Sequence, residues 1–232
     1  MKTIRTACLL GLLLLPLYST AQDTLQVLQQ RAEQGDADAQ HTLGRMYATG
    51  EGVLQDYKQA VYWSQKAAEQ GNTKAQYNLG LMYHNGLGML QDYKQATYWW
   101  QKAAEQGEIA AQYNLGVLYA GGQGVLQDYK QAAYWFLKAA EQEHTNAQCN
   151  LGRMYENGEG LQQDYEKAVY WYQKAAEQEN ADAQYNLGVA FNKGHGLTKD
   201  PKQAAYWIQQ AYKNGSEEAA AYWKEHELWK YR

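Results

Sequence analysis

The chain has 232 residues, two cysteines and a formal net charge of −4 at neutral pH. An acidic chain without a basic stripe does not match a phosphate backbone, so we expect no nucleic acid partner. Two cysteines also exclude a small fold held together by several disulfides, so packing has to supply the stability.

The first 21 residues have the features of a secretory signal peptide. Lys2 and Arg5 precede an apolar run over residues 8–17, and Ser19 and Ala21 form a small-x-small cleavage site. The apolar run is shorter than a membrane-spanning helix. We therefore expect cleavage and export, to the periplasm or outside a bacterial cell, with no stable membrane insertion afterwards.

The rest of the chain repeats a unit of 36 residues without insertion or deletion. Alanines mark the register at Ala39, Ala75, Ala111, Ala147, Ala183 and Ala219. A strict period of this length predicts a solenoid. The boundaries we expect are a signal peptide over residues 1–21, a capping half-repeat over 22–35, five repeats over 36–215 and a capping helix over 216–232.

Each repeat predicts two helices. The first begins near a capping residue such as Asp36 or Asn72 and ends at a Gly-x-Gly pair such as Gly50 and Gly52, because glycine suits a left-handed helix end. The second begins at an aspartate that every copy contains: Asp56, Asp92, Asp128, Asp164 and Asp200. Glutamine three residues later predicts a capping box in all copies but the fourth, which has Lys167.

Two recurring columns predict close packing. Glycine recurs within the first helix, at Gly44, Gly80, Gly116, Gly152 and Gly188. Since glycine costs a helix about 0.5–1 kcal/mol relative to alanine, we expect a neighbouring backbone or ring to approach it closely. Tryptophan recurs in the second helix, at Trp63, Trp99, Trp135, Trp171 and Trp207. We interpret this column as core between helices, and a platform for sugars or cofactors as the alternative.

The last repeat stops after one helix, predicted over residues 216–232, in which Lys224 replaces the helical glycine and Glu227 replaces a tyrosine. A terminal helix receives no further repeat. We therefore expect its outer face to be polar.

The pattern A-x-x-Q-x-x-L-G-x-M-Y-x-x-G-x-G-V-x-Q-D-Y-x-x-A-x-x-W-x-x-K-A-A-E-Q-G resembles the Sel1-like repeat, a relative of the tetratricopeptide repeat, over residues 25–232. The resemblance implies an all-α, right-handed superhelical solenoid that acts as a scaffold or adaptor for a protein or peptide partner, without a cofactor. One departure is that leucine, glutamine or threonine replaces the proline common before Gln-Asp-Tyr.

Several positions of the first helix differ between copies although packing positions barely vary, and they share one face of the helix. In the tetratricopeptide architecture this face lines a groove, so the resemblance implies a partner-binding site there. The candidate residues are His41, Arg45, Tyr77, Leu81, His84, Asn85, Tyr113, Val117, Arg153, Glu156, Asn157, Tyr185, Asn192 and Lys193. A freely varying solvated surface is the alternative interpretation of each single position.

Catalysis is not expected. Cysteine-rich relatives of this repeat are linked to β-lactamase activity, but after cleavage this chain retains one thiol, Cys149, which we expect to be inert and partly buried. Ser64 and Ser216 do not begin an S-x-x-K motif, and the histidines lack metal-ligand spacing, so we name no catalytic or metal-binding residue. A cell-wall amide hydrolase and a non-catalytic peptidoglycan or envelope-binding protein remain as alternatives.

Overall fold

The computed structural model describes the backbone of residues 15–231 and the side chains from residue 24 onward. Every regular element in this range is helical. The elements are α1 (Leu15–Glu33), α2 (Ala37–Thr49), α3 (Tyr57–Glu69), α4 (Thr73–Asn85), α5 (Tyr93–Glu105), α6 (Ile109–Gly121), α7 (Tyr129–Glu141), α8 (Thr145–Asn157), α9 (Tyr165–Glu177), α10 (Ala181–Lys193), α11 (Pro201–Lys213), α12 (Glu217–Glu225) and the 3₁₀ helix η1 (Leu228–Tyr231). The predicted all-α fold with a repeat of two helices is confirmed.

The chain forms two compact units, an N-terminal unit (Met1–Gln91) and a C-terminal unit (Asp92–Arg232). In each unit a helix packs against its neighbours in sequence: α2 lies against α1 and α3, and α8 against α7 and α9. The cores consist largely of alanine, so that helices approach closely. In the C-terminal unit Phe136, Leu151 and Met154 add the larger side chains.

The predicted signal peptide lies in part outside the described residues, since the description begins at Leu15. The backbone from Leu15 to the expected cleavage point after Ala21 belongs to α1. In the part of the chain that the structure describes, no helix combines the length and apolar character needed to cross a bilayer.

The second helices begin as predicted, but the capping boxes are incomplete. The Asp128 carboxylate accepts hydrogen bonds from the backbone N–H groups of Lys130 and Gln131, at 2.9 and 3.1 Å. In a full box the Gln131 side chain would in turn accept the Asp128 N–H. That N–H donates instead to the Tyr119 carbonyl at 2.9 Å. The first helix of the repeat therefore uses the donor that the glutamine was expected to bind.

We expect Asp128→Ala to lower the free energy of unfolding by about 0.5–2 kcal/mol, because the first turn of α7 loses both cap hydrogen bonds. Gln131→Ala is the matched control and should change stability by a few tenths of a kcal/mol at most, within the usual range for surface positions. Urea unfolding followed by circular dichroism measures both. Equal losses in the two variants would contradict the capping role of Asp128.

A buried glutamine in each first helix joins successive repeats, a role that the sequence did not indicate. Gln148, 1% exposed, donates from Nε2 to the Ala140 carbonyl at the end of the preceding second helix, at 3.2 Å. Its Oε1 accepts from Gln178 Nε2 at 2.8 Å. Gln40, Gln112 and Gln184 make equivalent bonds in their own repeats. Each amide thus connects three consecutive helices.

The second glycine of each Gly-x-Gly pair has a packing role as well as a turn role. Gly124 has φ of +72°, and a Cβ there would lie 2.5 Å from the Tyr93 carbonyl carbon. Tyr93 begins the second helix of the preceding repeat. A side chain at residue 124 would therefore push two repeats apart in addition to straining the turn.

The C-terminal end differs from the predicted single polar helix. α12 ends at Glu225, Glu227 adopts a left-handed conformation with φ of 52°, and η1 follows. The chain turns back because Leu228 is then fully buried against α11. The end is also less polar than expected: Tyr212 and Trp229 are 61% and 47% exposed and border a groove of about 310 Å³.

Candidate partner-binding face

The candidate residues of the N-terminal unit are His41, Arg45, Tyr77, Leu81, His84 and Asn85, all on α2 and α4. His41 is half-buried, and its Nε2 lies 3.3 Å from the amide nitrogen of Asn78. Burial lowers the pKa of His41, and the nearby positive charges of Lys74 and Arg45 lower it further. His41 is therefore a neutral contact between repeats at physiological pH.

Arg45 is exposed but already has a partner. One of its guanidinium nitrogens lies 2.6 Å from Glu51 Oε2, and Glu51 stands between the two glycines that end α2. The pair is solvent-exposed, so its contribution to stability is small. The pair nevertheless neutralises the arginine charge within the chain.

The tyrosines of this column pack against neighbouring repeats in the C-terminal unit. Tyr113 stacks on the His144 ring with centroids 4.5 Å apart. Tyr185 meets Tyr222 edge to face at 5.7 Å, and the Tyr222 hydroxyl accepts a hydrogen bond from Asn192 at 2.9 Å. These candidates thus serve packing at least in part, whereas Val117 and Lys193 are exposed.

Arg153 and Asn157 lie together on the wall of a surface cavity of about 250 Å³ in the C-terminal unit. Tyr129 and Phe136 of α7 and the loop residue Glu159 also line it. Ala120 and Met154 complete the lining. The polar part of the lining contains one guanidinium and one carboxylate, so the cavity can contact a charged group.

Glu156, one turn of α8 from Arg153, is bonded within the repeat. It accepts a hydrogen bond from the Tyr172 hydroxyl at 2.6 Å. Burial raises the pKa of Tyr172, and the Glu156 carboxylate raises it further. The hydroxyl consequently stays protonated and remains a donor to Glu156.

Sequence reasoning missed Tyr129, Phe136 and Glu159. The sequence could have indicated Phe136, because the residue that follows each recurring tryptophan is different in all five repeats. Its occupants are Ser64, Trp100, Phe136, Tyr172 and Ile208. This position packs against the helical glycine of the same repeat, as Phe136 does against Gly116. Side chains of different size at this buried position therefore change the packing between the two helices of a repeat, beneath the candidate face.

The Sel1 repeat family model matches five consecutive segments: 37–72, 73–108, 109–144, 145–180 and 181–216. The chain belongs to the Sel1 repeat family. Each matched segment begins one residue after the start that the sequence period indicated.

Solved structures of other Sel1 repeat proteins are similar to this one. A protective antigen of uropathogenic Escherichia coli strains is 42% identical with a TM-score of 0.80 over 84% of this chain, which spans only 42% of that protein's length. A Sel1 repeat protein from Oxalobacter formigenes is 35% identical, also with a TM-score of 0.80, over 88% of this chain and 85% of its own. A comparison with curated proteins finds no match.

Among the described residues, no group of three or more His, Cys, Asp or Glu side chains is placed to bind a metal ion. Cys149, which shares the column of Tyr113 and Tyr185, is 9% exposed. Burial raises the pKa of the Cys149 thiol to about 12. The thiol is therefore a buried group and does not belong to the candidate face. Its low reactivity stays a prediction.

Proposed function

We propose that this Sel1 repeat protein is an exported scaffold or adaptor that binds a protein or peptide partner through the face formed by its first helices. The observation that supports the site is the cavity between α6 and α8, whose wall contains the candidates Arg153 and Asn157. The solenoid fold supports the class of function, because stacked repeats present extended surfaces for binding.

The face can be tested with a triple variant, whose fold is checked separately because Tyr113 also stacks on His144. We expect the triple variant Arg45→Glu, Arg153→Glu, Tyr113→Ala to capture a partner from bacterial envelope extract at least about tenfold less than the unaltered protein. The matched control reverses two exposed charges and removes one tyrosine on second helices: Lys58→Glu, Lys130→Glu and Tyr134→Ala.

The control variant should retain capture, and both variants should keep the helical circular dichroism spectrum of the parent. The captured protein is identified by mass spectrometry. It is then purified and tested alone, so that binding through a third protein of the extract is excluded. Equal binding of the purified partner to the parent and to the triple variant would place the site on another surface.

The export proposal has its own measurement. Residues 1–21 should be absent from protein recovered from the envelope or the medium, so that amino-terminal sequencing begins at Gln22. Removing these residues takes away two basic and no acidic side chains and changes the formal charge from −4 to −6. Recovery of full-length chain from the cytoplasm alone would contradict export.

The two alternatives are separated by simple assays. Hydrolysis of a chromogenic β-lactam above a heat-inactivated control would favour the hydrolase. Sedimentation with purified peptidoglycan that the triple variant retains would favour envelope binding through another surface. The scaffold proposal expects neither result, because its specificity lies in side chains that contact a polypeptide.

A further inference from the structure

Two first helices end in nearly the same eight residues, Arg45–Gly52 and Arg153–Gly160. The sequences are RMYATGEG and RMYENGEG, so they differ only where Ala48 and Thr49 become Glu156 and Asn157. Both contain an arginine on the candidate face and a glutamate between the two glycines. The chain thus provides its own comparison of two closely matched sites.

The first site is closed by an internal ion pair. Thr49 Oγ1 donates to the Arg45 carbonyl at 3.1 Å and accepts the Glu51 backbone N–H at 3.3 Å. Thr49 therefore bonds only backbone groups here. The Glu51 carboxylate is left to pair with Arg45, at 2.6 Å.

The second site is open. Asn157 is longer than threonine and donates from Nδ2 to Glu159 Oε1 at 3.2 Å, which holds the loop carboxylate away from Arg153. The neighbouring Glu156 is bonded to the Tyr172 hydroxyl. Within the described residues, no carboxylate oxygen lies within 4.0 Å of the Arg153 guanidinium. Arg153 instead lines the 250 Å³ cavity.

We propose that this cavity binds a carboxylate of the partner polypeptide on Arg153, while Glu159 accepts an N–H of the same segment. A guanidinium and a carboxylate form two parallel hydrogen bonds, and the exposed Tyr129 ring on the same wall offers a surface for the rest of the bound segment. The inference rests on the proposed function and defines the partner as a peptide with an exposed acid group. Arg45 has no such role, because Glu51 already satisfies it.

The direct test uses three short peptides as probes. Acetyl-Gly-Asp-Gly-amide supplies an acidic side chain, acetyl-Gly-Gly-Gly with a free carboxyl supplies a terminal carboxylate, and acetyl-Gly-Asn-Gly-amide supplies neither. Titration is followed by the NMR signal of Arg153 Nε–H, assigned by comparison with Arg153→Gln. At least one acid peptide should bind about tenfold or more tightly than the Asn peptide, because a hydrogen bond between two charged groups is stronger than one to a neutral amide. Binding of the Asp peptide would identify an acidic side chain as the recognised group, and binding of the free-carboxyl peptide would identify a chain terminus.

An exchange of the two differing residues tests the mechanism. Asn157→Thr should release Glu159 to pair with Arg153 and reduce binding of the acid peptide about tenfold, although it removes no charge. Thr49→Asn should have the opposite effect in the N-terminal unit, where the Arg45 Nε–H signal should begin to respond to the same peptide. Both positions are exposed, so we expect melting curves like that of the parent.

The two proposals fail in different ways. If no acid peptide binds better than the Asn peptide, or if Asn157→Thr binds it as the parent does, carboxylate recognition is wrong while loss of partner capture in the triple variant still supports the binding face. If the triple variant captures the partner normally but the acid peptides bind at Arg153, the cavity is a carboxylate site that the partner does not use.

Discussion

Replacing Gly116 by leucine should lower the free energy of unfolding by about 3 kcal/mol or more, at the upper end of the range for overpacked cores. Gly116 lies in the middle of α6, where it and Phe136 are both nearly inaccessible to solvent. A Cβ added at Gly116 would lie 2.5 Å from the Phe136 ring. Phe136 also packs in the core that α7 forms with α8, so the ring can move only by disturbing that core.

Gly121→Ala is the matched control, because Gly121 ends the same helix and a Cβ there would meet nothing closer than Gln123 at 3.7 Å. Its stability should be equal to or slightly above that of the parent, since alanine is the better helix former. Urea unfolding monitored by circular dichroism measures both variants. A parental midpoint for Gly116→Leu would show that α6 and α7 leave room for a side chain between them.

Cys149 should react with a thiol reagent at least about a hundredfold more slowly in the folded protein than in denaturing urea. The reactive species is the thiolate, and raising the thiol pKa from 9.0 to about 12 lowers its population about a thousandfold near neutral pH. Burial is the main cause, and the charge of Asp182 adds to it. The rate is measured at about pH 8 as the release of thionitrobenzoate from an aromatic disulfide reagent, and mass spectrometry identifies the modified residue.

The same shift predicts a loss of stability in alkali. Above about pH 9 the unfolded chain releases the Cys149 proton while the folded chain retains it, so the free energy of unfolding falls as the pH rises towards 12. The slope from this one group is at most about 1.4 kcal/mol per pH unit. Cys149→Ala should lack this part of the slope. Rapid modification of Cys149 in the folded protein, or an unchanged slope in Cys149→Ala, would contradict the burial of the thiol.

A sequence with a strict period determines its own secondary structure and repeat order, because each local signal occurs five times. The aspartate caps, the glycine helix ends and the alanine register all depend on residues within one repeat of each other. The close approach at Gly116 was also predictable, since glycine in the middle of a helix costs stability and recurs in every copy only where a neighbouring group needs the space. These are local or nearest-neighbour properties, and they agree with the structure.

The tertiary structure alone decided which groups are already satisfied. Arg45 and Arg153 are equivalent in sequence, yet one is paired with Glu51, whereas the other lines a cavity in which Glu159 is bonded to Asn157. The buried Gln148 and the turn that buries Leu228 likewise depend on which donor or apolar surface lies opposite. A periodic sequence specifies the scaffold because packing is repeated. It does not specify recognition, because a single side chain that changes its hydrogen-bond partner can open or close a site.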